Sequence, residues 1–189
     1  MAEHNVLTGS SLHEPKDIAA AASNQLYFAD GAGSGDMELA VAYGGIGLFN
    51  HAGSAVSGIG TTPIALAVFT ADMPAADVVP AHGSDNITIT TAGDYAVHFY
   101  ASFATSAAGD AGDYQFRLRV GGVEGSGAQN LGCHREMSGS SDEGSVSFAG
   151  IATFSAADVL SIYVESDDGG NNDDIDLLDV TLFVTLLKA

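Results

Sequence analysis

The sequence predicts an all-β fold, an antiparallel sandwich carried behind an extended N-terminal arm. Three observations predict it. Tyr95, Val97, Phe99, Ala101 and Phe103 alternate with Ala96, His98, Tyr100 and Ser102, the period of a strand with one buried face. Short β-type runs recur along the chain between clusters of Gly, Asp, Asn and Ser, which are turn-forming residues. No apolar pattern of helical period is long enough to compete.

Residues 1–38 are rich in Ala, Gly, Ser and Asn and show little alternation, so they read as an arm; residues 39–189 read as the folded domain. Within the arm, Pro15 followed by Asp17-Ile18-Ala19-Ala20-Ala21-Ala22 predicts one or two helical turns ending near Ser23-Asn24. A helix that short is marginal in water and needs a partner surface. The run Asp30-Gly31-Ala32-Gly33-Ser34-Gly35-Asp36 reads as a joint. Strands are expected at residues 39–49, 64–70 and 86–90, ahead of the clear one at 95–103. Tyr114, Phe116, Leu118 and Val120 then alternate with Gln115, Arg117 and Arg119, and Gly121-Gly122 supplies the turn that follows. Residues 145–154, 159–165 and 177–187 complete the set. In the last, Val180, Leu182, Val184 and Leu186 make one apolar face, yet Phe183 and Leu187 sit on the other beside Thr181 and Thr185. A strand apolar on both faces is usually covered on both. In a single sandwich the second cover is most simply another subunit, with a loop as the alternative.

Composition narrows the function classes. Five Lys and Arg against 24 Asp and Glu give a formal net charge of -19, a surface that repels phosphate, so nucleic acid and anionic membrane are not expected partners. Only 15% of residues are charged and 46% are apolar, which predicts a folded chain rather than a disordered acidic tail. Cys133 is alone, so the core or association must hold the fold without an intrachain disulfide. The N-terminus, MAEHNVLTGSSLHEPK, lacks the basic and apolar regions of a secretory signal, and no stretch approaches the roughly 20 apolar residues that span a bilayer. A soluble product made in the host cytoplasm is expected, and the sequon Asn86-Ile87-Thr88 reads as chance.

Two segments carry family likenesses. The run from Gly144 to Val164, with its apolar strand, small turn at Ser155-Ala156-Ala157-Asp158 and second apolar strand, resembles the late strands of complement-type and tumour-necrosis-factor-like jelly-rolls. Gly93-Asp94-Tyr95-Ala96-Val97-His98-Phe99 and Arg119-Val120-Gly121-Gly122-Val123 are similar to earlier strands of that family. The resemblance covers residues 80–189 and implies a ten-strand jelly-roll and a threefold trimer with the last strand near the axis. Tyr100, Phe183 and Leu187 are the expected trimer-interface residues. In the arm, Leu7-Thr8-Gly9-Ser10-Ser11-Leu12-His13-Glu14-Pro15-Lys16 and Asn24-Gln25-Leu26-Tyr27-Phe28-Ala29, with the joint after them, are similar to a segment of many tailed-phage virion proteins. That pattern commonly has an aromatic after the joint, where this chain has Asp36-Met37-Glu38. The likeness implies attachment to, or display on, a virion. Leu7, Thr8, Leu12, His13, Glu14, Pro15, Lys16, Ile18, Leu26, Tyr27 and Phe28 are the expected docking residues, several of them apolar on an arm too short to bury them alone.

Sequence motifs for chemistry are absent. There is no phosphate loop, dinucleotide fingerprint or nucleophile elbow, and His4, His13, His51, His82, His98 and His134 are dispersed without zinc spacing. Asp110 with Asp113 is the one acid/base pair to consider. The oxygen-rich run Asp167 to Asp176 has two readings: a solvated turn, or a calcium site using Asp167, Asp168, Asp173 and Asp174, although Gly169 breaks EF-hand spacing. No cofactor is therefore expected. The expected function is non-enzymatic: a capsid decoration protein at the virion surface, a homotrimer gripping the major capsid protein through its arms. The alternative is a receptor-binding knob of a phage tail or head fibre, with recognition by the loops at residues 107–113 and 138–144.

Overall fold

A computed structural model of the chain describes residues 28–29, 37–38, 42–106, 110–124, 130–138, 142–167, 169 and 173–188. The chain divides into two units, residues 1–41 and 42–189. In the first, β1 (Phe28–Ala29) and β2 (Met37–Glu38) pair antiparallel, with Phe28 opposite Glu38.

The second unit is a jelly-roll of two antiparallel sheets. Along the chain run β3 (Tyr43–Ile59), β4 (Ile64–Ala65), β5 (Ala71–Asp72), β6 (Val78–Ala81), β7 (Asn86–Ile89), β8 (Gly93–Thr105) and β9 (Gly112–Val120). They are followed by β10 (Val123–Glu124), β11 (Gly132–Met137), β12 (Glu143–Phe154), β13 (Val159–Glu165) and β14 (Asp173–Lys188). One sheet has the order β12-β8-β14-β3-β5; the other has the order β10-β9-β13-β7-β6, with β11 on β9 and β4 on β13. Successive long strands alternate between sheets, from β8 to β9 and from β12 through β13 to β14, which is the winding of a jelly-roll.

Strand alternation fills the space between the sheets. Tyr95, Val97, Phe99, Ala101 and Phe103 of β8 are all buried, and Phe116 of β9 meets Phe99 and Phe103 with ring centroids 5.7 and 5.3 Å away. Burying such a side chain stabilises by roughly 1.5–3 kcal/mol, and offset or tilted rings add to this. The β12 edge is closed by side chains from the opposite sheet: a Cβ at Gly150 would lie 2.4 Å from Leu131 Cδ2, and one at Gly144 would lie 2.1 Å from Arg135 Nε. Larger residues there would push those closing side chains away.

Three expectations about elements are corrected. The first long strand, described from Tyr43, runs on to Ile59 instead of ending at residue 49, and residues 39–41 of the expected run lie outside the described residues. Its Gly53 and Gly58 adopt φ of +84° and +73°, and the pairing with β14 shifts register twice, so bulges carry a run with broken alternation. The final strand begins at Asp173, inside the acidic run read as a loop, because Ile175 and Leu177 are fully buried and pull the intervening carboxylates into the sheet. The strand expected at 64–70 is paired only at Ile64–Ala65, and β6 and β11 had no expectation at all. In β11 only Met137 is buried, so its sequence carries no period of two. The helical turns expected at residues 17–22 lie outside the described residues.

Candidate interaction face

The outer face of the five-stranded sheet is set by strand register. Reading from β12 through β8 and β14 to β3, one row presents Ile151, Ala96, Thr185 and Tyr43, and the next Ala149, His98, Phe183 and Gly45. Ser147, Tyr100, Thr181 and Gly47 follow, then Ser145, Ser102, Asp179 and Phe49. Asp179 is the one carboxylate in these rows, and no Lys or Arg stands in them. The outer face of the other sheet differs: β9, β10, β11 and β13 bring Asp113, Arg117, Arg119, Glu124, Glu136 and Glu165 together there. Arg117 reaches Glu124 at 3.4 Å and Glu165 at 3.3 Å, and Arg119 lies 4.5 Å above the Tyr163 ring.

Phe49, Tyr100, Ile151 and Leu187 of the five-stranded sheet are exposed by 64, 43, 60 and 44%. They are four of the six large apolar side chains exposed among the described residues, Val79 and Val123 being the others. Part of the face is covered from within the chain. A Cβ at Gly45 would lie 2.9 Å from both Met73 Sδ and Phe183 Cδ2, so the thioether and the ring lie over the bare backbone of β3. This leaves Phe183 half-buried rather than open. A shallow depression of ≈ 340 Å³ remains beside it, lined by His98, Tyr100, Ser147, Ala149 and Thr181.

Of the residues expected at a subunit contact, Tyr100, Phe183 and Leu187 therefore share this sheet, Tyr100 and Phe183 in neighbouring rows. Phe49, Ile151 and Met73 join them without having been read from the sequence, because their alignment depends on pairing between distant segments. Of the docking residues, Leu7, Thr8, Leu12, His13, Glu14, Pro15, Lys16, Ile18, Leu26 and Tyr27 lie outside the described residues, and Phe28 is described only by its backbone pairing with Glu38.

The opposite candidate is acidic. Asp173 is fully buried and Asp110 nearly so, and the carboxylates of Asp167 and Asp173 approach the same point over Gly112, at 2.9 and 3.1 Å from where its Cβ would be. Burial, then the charges of Asp173, Asp110, Asp174 and Asp167, push the neighbouring Tyr114 phenol up. Asp174 is drawn away from that point, accepting from the Gly58 N–H at 2.9 Å, and Asp168 lies outside the described residues. No group of three His, Cys, Asp or Glu side chains is placed to share a metal ion among the described residues. The two carboxylates weighed as an acid/base pair turn to different partners: Asp110 accepts from the Asp174 N–H at 3.3 Å, and Asp113 meets His134 Nδ1 at 2.9 Å. No described helix is long and apolar enough to cross a membrane.

No protein-family model and no curated protein matches the chain. Among solved structures, an Eiger tumour necrosis factor from S. frugiperda is similar at a TM-score of 0.49 and 13% identity, over 78% of this chain and 91% of that one. The globular domain of a zebrafish complement 1qA protein is similar at 0.48 and 16%, over 78% of this chain and 98% of that one.

Proposed function

We propose that this chain is a non-enzymatic structural protein of a phage virion, a decoration protein that sits on the outer capsid as a homotrimer. The observation that carries the reading is the middle of the outer face of the five-stranded sheet, four rows with Asp179 as their one charge, bounded by Glu143 and Asp176 at one end and Asp94 and Lys188 at the other, on a chain whose formal net charge is -19. Copies of so acidic a protein repel one another, and contact is least opposed where carboxylates are missing and exposed apolar side chains stand. Tyr100, Ile151 and Phe49 supply that surface, with Phe183 and Leu187 on the strand between. A stable contact of this kind buries about 1,600 Å² in total. The virion assignment rests on the likeness of the arm to phage virion segments. In this reading the arm docks on the major capsid protein, and added interface area opposes internal pressure.

Light scattering of the full chain tests the trimer, and a monomer mass over a wide concentration range would sink it. Gold-antibody labelling of intact particles tests the location. Label over whole heads is the expected result, whereas label confined to the tail tip replaces decoration with a receptor-binding knob. That second reading has its own observation. The strand ends around the loops at 107–113, 138–144 and 166–172 meet at one end of the sandwich, where the Thr105 N–H donates to Asp142 O and the Ser106 N–H to Asp174 O.

A further inference from the structure

We propose that β12 is a strand-addition edge, on which the β12 of a second copy pairs antiparallel about a twofold axis. The contact goes beyond the trimer reading and does not rest on it. Strand addition uses backbone groups in the plane of the sheet, whereas the face described above uses side chains that stand out from it.

The pairing of β12 with β8 fixes which of its groups are already used. The Thr105 N–H donates to Asp142 O at 3.0 Å, and the ladder runs on without a register shift, from Glu143 opposite Ala104 to Phe154 opposite Gly93. In an antiparallel pair, residues that exchange hydrogen bonds alternate with residues that do not. The even-numbered residues of β12 therefore point their N–H and C=O groups at β8, while Ser145, Ser147, Ala149 and Ile151 point theirs away. No other described strand pairs with β12, and these outward residues are all exposed. Leu131 and Arg135, which close the sandwich here, meet β12 on its inner side, at Gly150 and Gly144.

The other margins among the described strands are blunted in ways that discourage a further strand. β4, β5 and β10 have two residues each. β6 has four, one of them Pro80, and β11 has six, with His134, Arg135 and Glu136 consecutive and exposed. β12 has 12, and its residues 144–154 include neither proline nor charge.

Charge and register select the occupant. On a chain of formal net charge -19, an uncharged edge is where another copy meets least repulsion. Two copies of β12 related by a twofold axis at Phe148 set Ser147 opposite Ala149 and Ser145 opposite Ile151, so open groups meet open groups, and each pair exchanges two hydrogen bonds. The same register sets Glu143 opposite Thr153, which keeps the two Glu143 carboxylates about 34 Å apart. Like charge meets only at the ends of this ladder, where the copy's Glu143 approaches Asp94, which accepts from the Thr153 hydroxyl at 2.6 Å and has Lys188 opposite it.

The test is residue-resolved amide hydrogen exchange by NMR on the full chain at low and high protein concentration, with sedimentation alongside, for the wild type, S147P, S147A and A149E. The expected wild-type result is that the outward amides of Ser145, Ser147, Ala149 and Ile151 exchange fast in the dilute chain and slow down as concentration rises, whereas Val146, Phe148 and Gly150 are slow throughout. Sedimentation should then give a dimer, or a hexamer where trimers form as well. S147P removes an outward donor and no bond to β8, so it should lower the association constant by at least about tenfold. A149E brings two carboxylates beside the axis and should abolish the contact, while S147A keeps the donor and should associate as the wild type does. Slow Val146, Phe148 and Gly150 amides show that a variant is folded; if S147P is not, A149E and wild-type exchange decide. Outward amides that stay fast in an associated wild type, or association that S147P and A149E leave unchanged, overturn the edge contact. A trimer as the largest species does so too and leaves the face contact standing. Outward amides already slow in the dilute monomer mean that a segment of the same chain lies on the edge, which overturns the second copy as its occupant. A monomer at every concentration overturns both contacts.

Discussion

Single residues in this protein take their chemistry from which side of a strand they occupy. Cys133 is opposite Phe116 in the β11–β9 ladder, and burial pushes its thiol up to about 11. The folded state therefore holds the thiol proton more tightly than the unfolded chain does. The stability this contributes is present below the ordinary thiol value and is lost as pH rises toward 11. It also makes the thiol slow to react, because the thiolate is the nucleophile. Near pH 8 the folded protein should react with a disulfide reagent at least about a hundredfold more slowly than the denatured chain, given the thiolate fractions the two values set. The folded rate should rise about tenfold per pH unit from there. Equal rates near pH 8 for folded and denatured protein would show Cys133 to be an ordinary exposed thiol. His134, its neighbour in sequence, is exposed and paired with Asp113, so adjacent residues of one strand have opposite surroundings.

At the scale of elements, the corner from β12 to β13 carries the chain from one sheet to the other through Ser155-Ala156-Ala157-Asp158. The Ser155 N–H donates to Asp158 Oδ2 at 2.8 Å, and the Ala157 N–H donates to Ile89 O at 2.8 Å, which fixes the corner to β7. Holding it there places Ala157 at φ +71°, the left-handed region in which a Cβ crowds the backbone. Glycine removes that cost of about 1–2 kcal/mol but adds about 0.5–1 kcal/mol of chain entropy. Ala157→Gly should therefore raise unfolding free energy by about 0.5–1 kcal/mol in urea, and a loss of stability would mean the corner is not strained. Such a corner was legible as a turn from its small residues and Asp, but its handedness was not. The same division holds for strands. β8, β12 and β13 were readable because one face of each is regularly apolar, whereas β3 was misplaced because bulges and glycines break its period. β11 escaped notice because it is an edge strand with one buried residue. The start of β14 escaped because two buried apolar residues outweighed the turn preference of the acids between them.

For the whole molecule, the candidate face was half legible. Phe183 and Leu187 stood out on the polar side of an otherwise regular strand, and Tyr100 on the outward side of β8. Phe49, Ile151 and Met73 did not, since only the pairing of β3 with β14 and of β12 with β8 brings them alongside. What the sequence did contain was the charge imbalance of 24 acidic against five basic residues, and this decides how association should answer to salt. Charges separated by more than a screening length no longer interact, and that length is about 30 Å at 0.01 M salt and about 10 Å at 0.1 M. If copies meet through the charge-poor face, they lose almost no ion pairs to screening, and the long-range term that salt removes is mutual repulsion. The trimer should therefore tighten as sodium chloride is raised from about 0.01 M to about 0.1 M, as sedimentation of the full chain at fixed pH would show. Tyr100→Glu would bring three carboxylates into the contact, and it should abolish the trimer even at the higher salt. Weakening with salt would instead mean that ion pairs hold the copies together, which moves the contact to the opposite sheet, where Arg117 and Arg119 stand among Glu124 and Glu165.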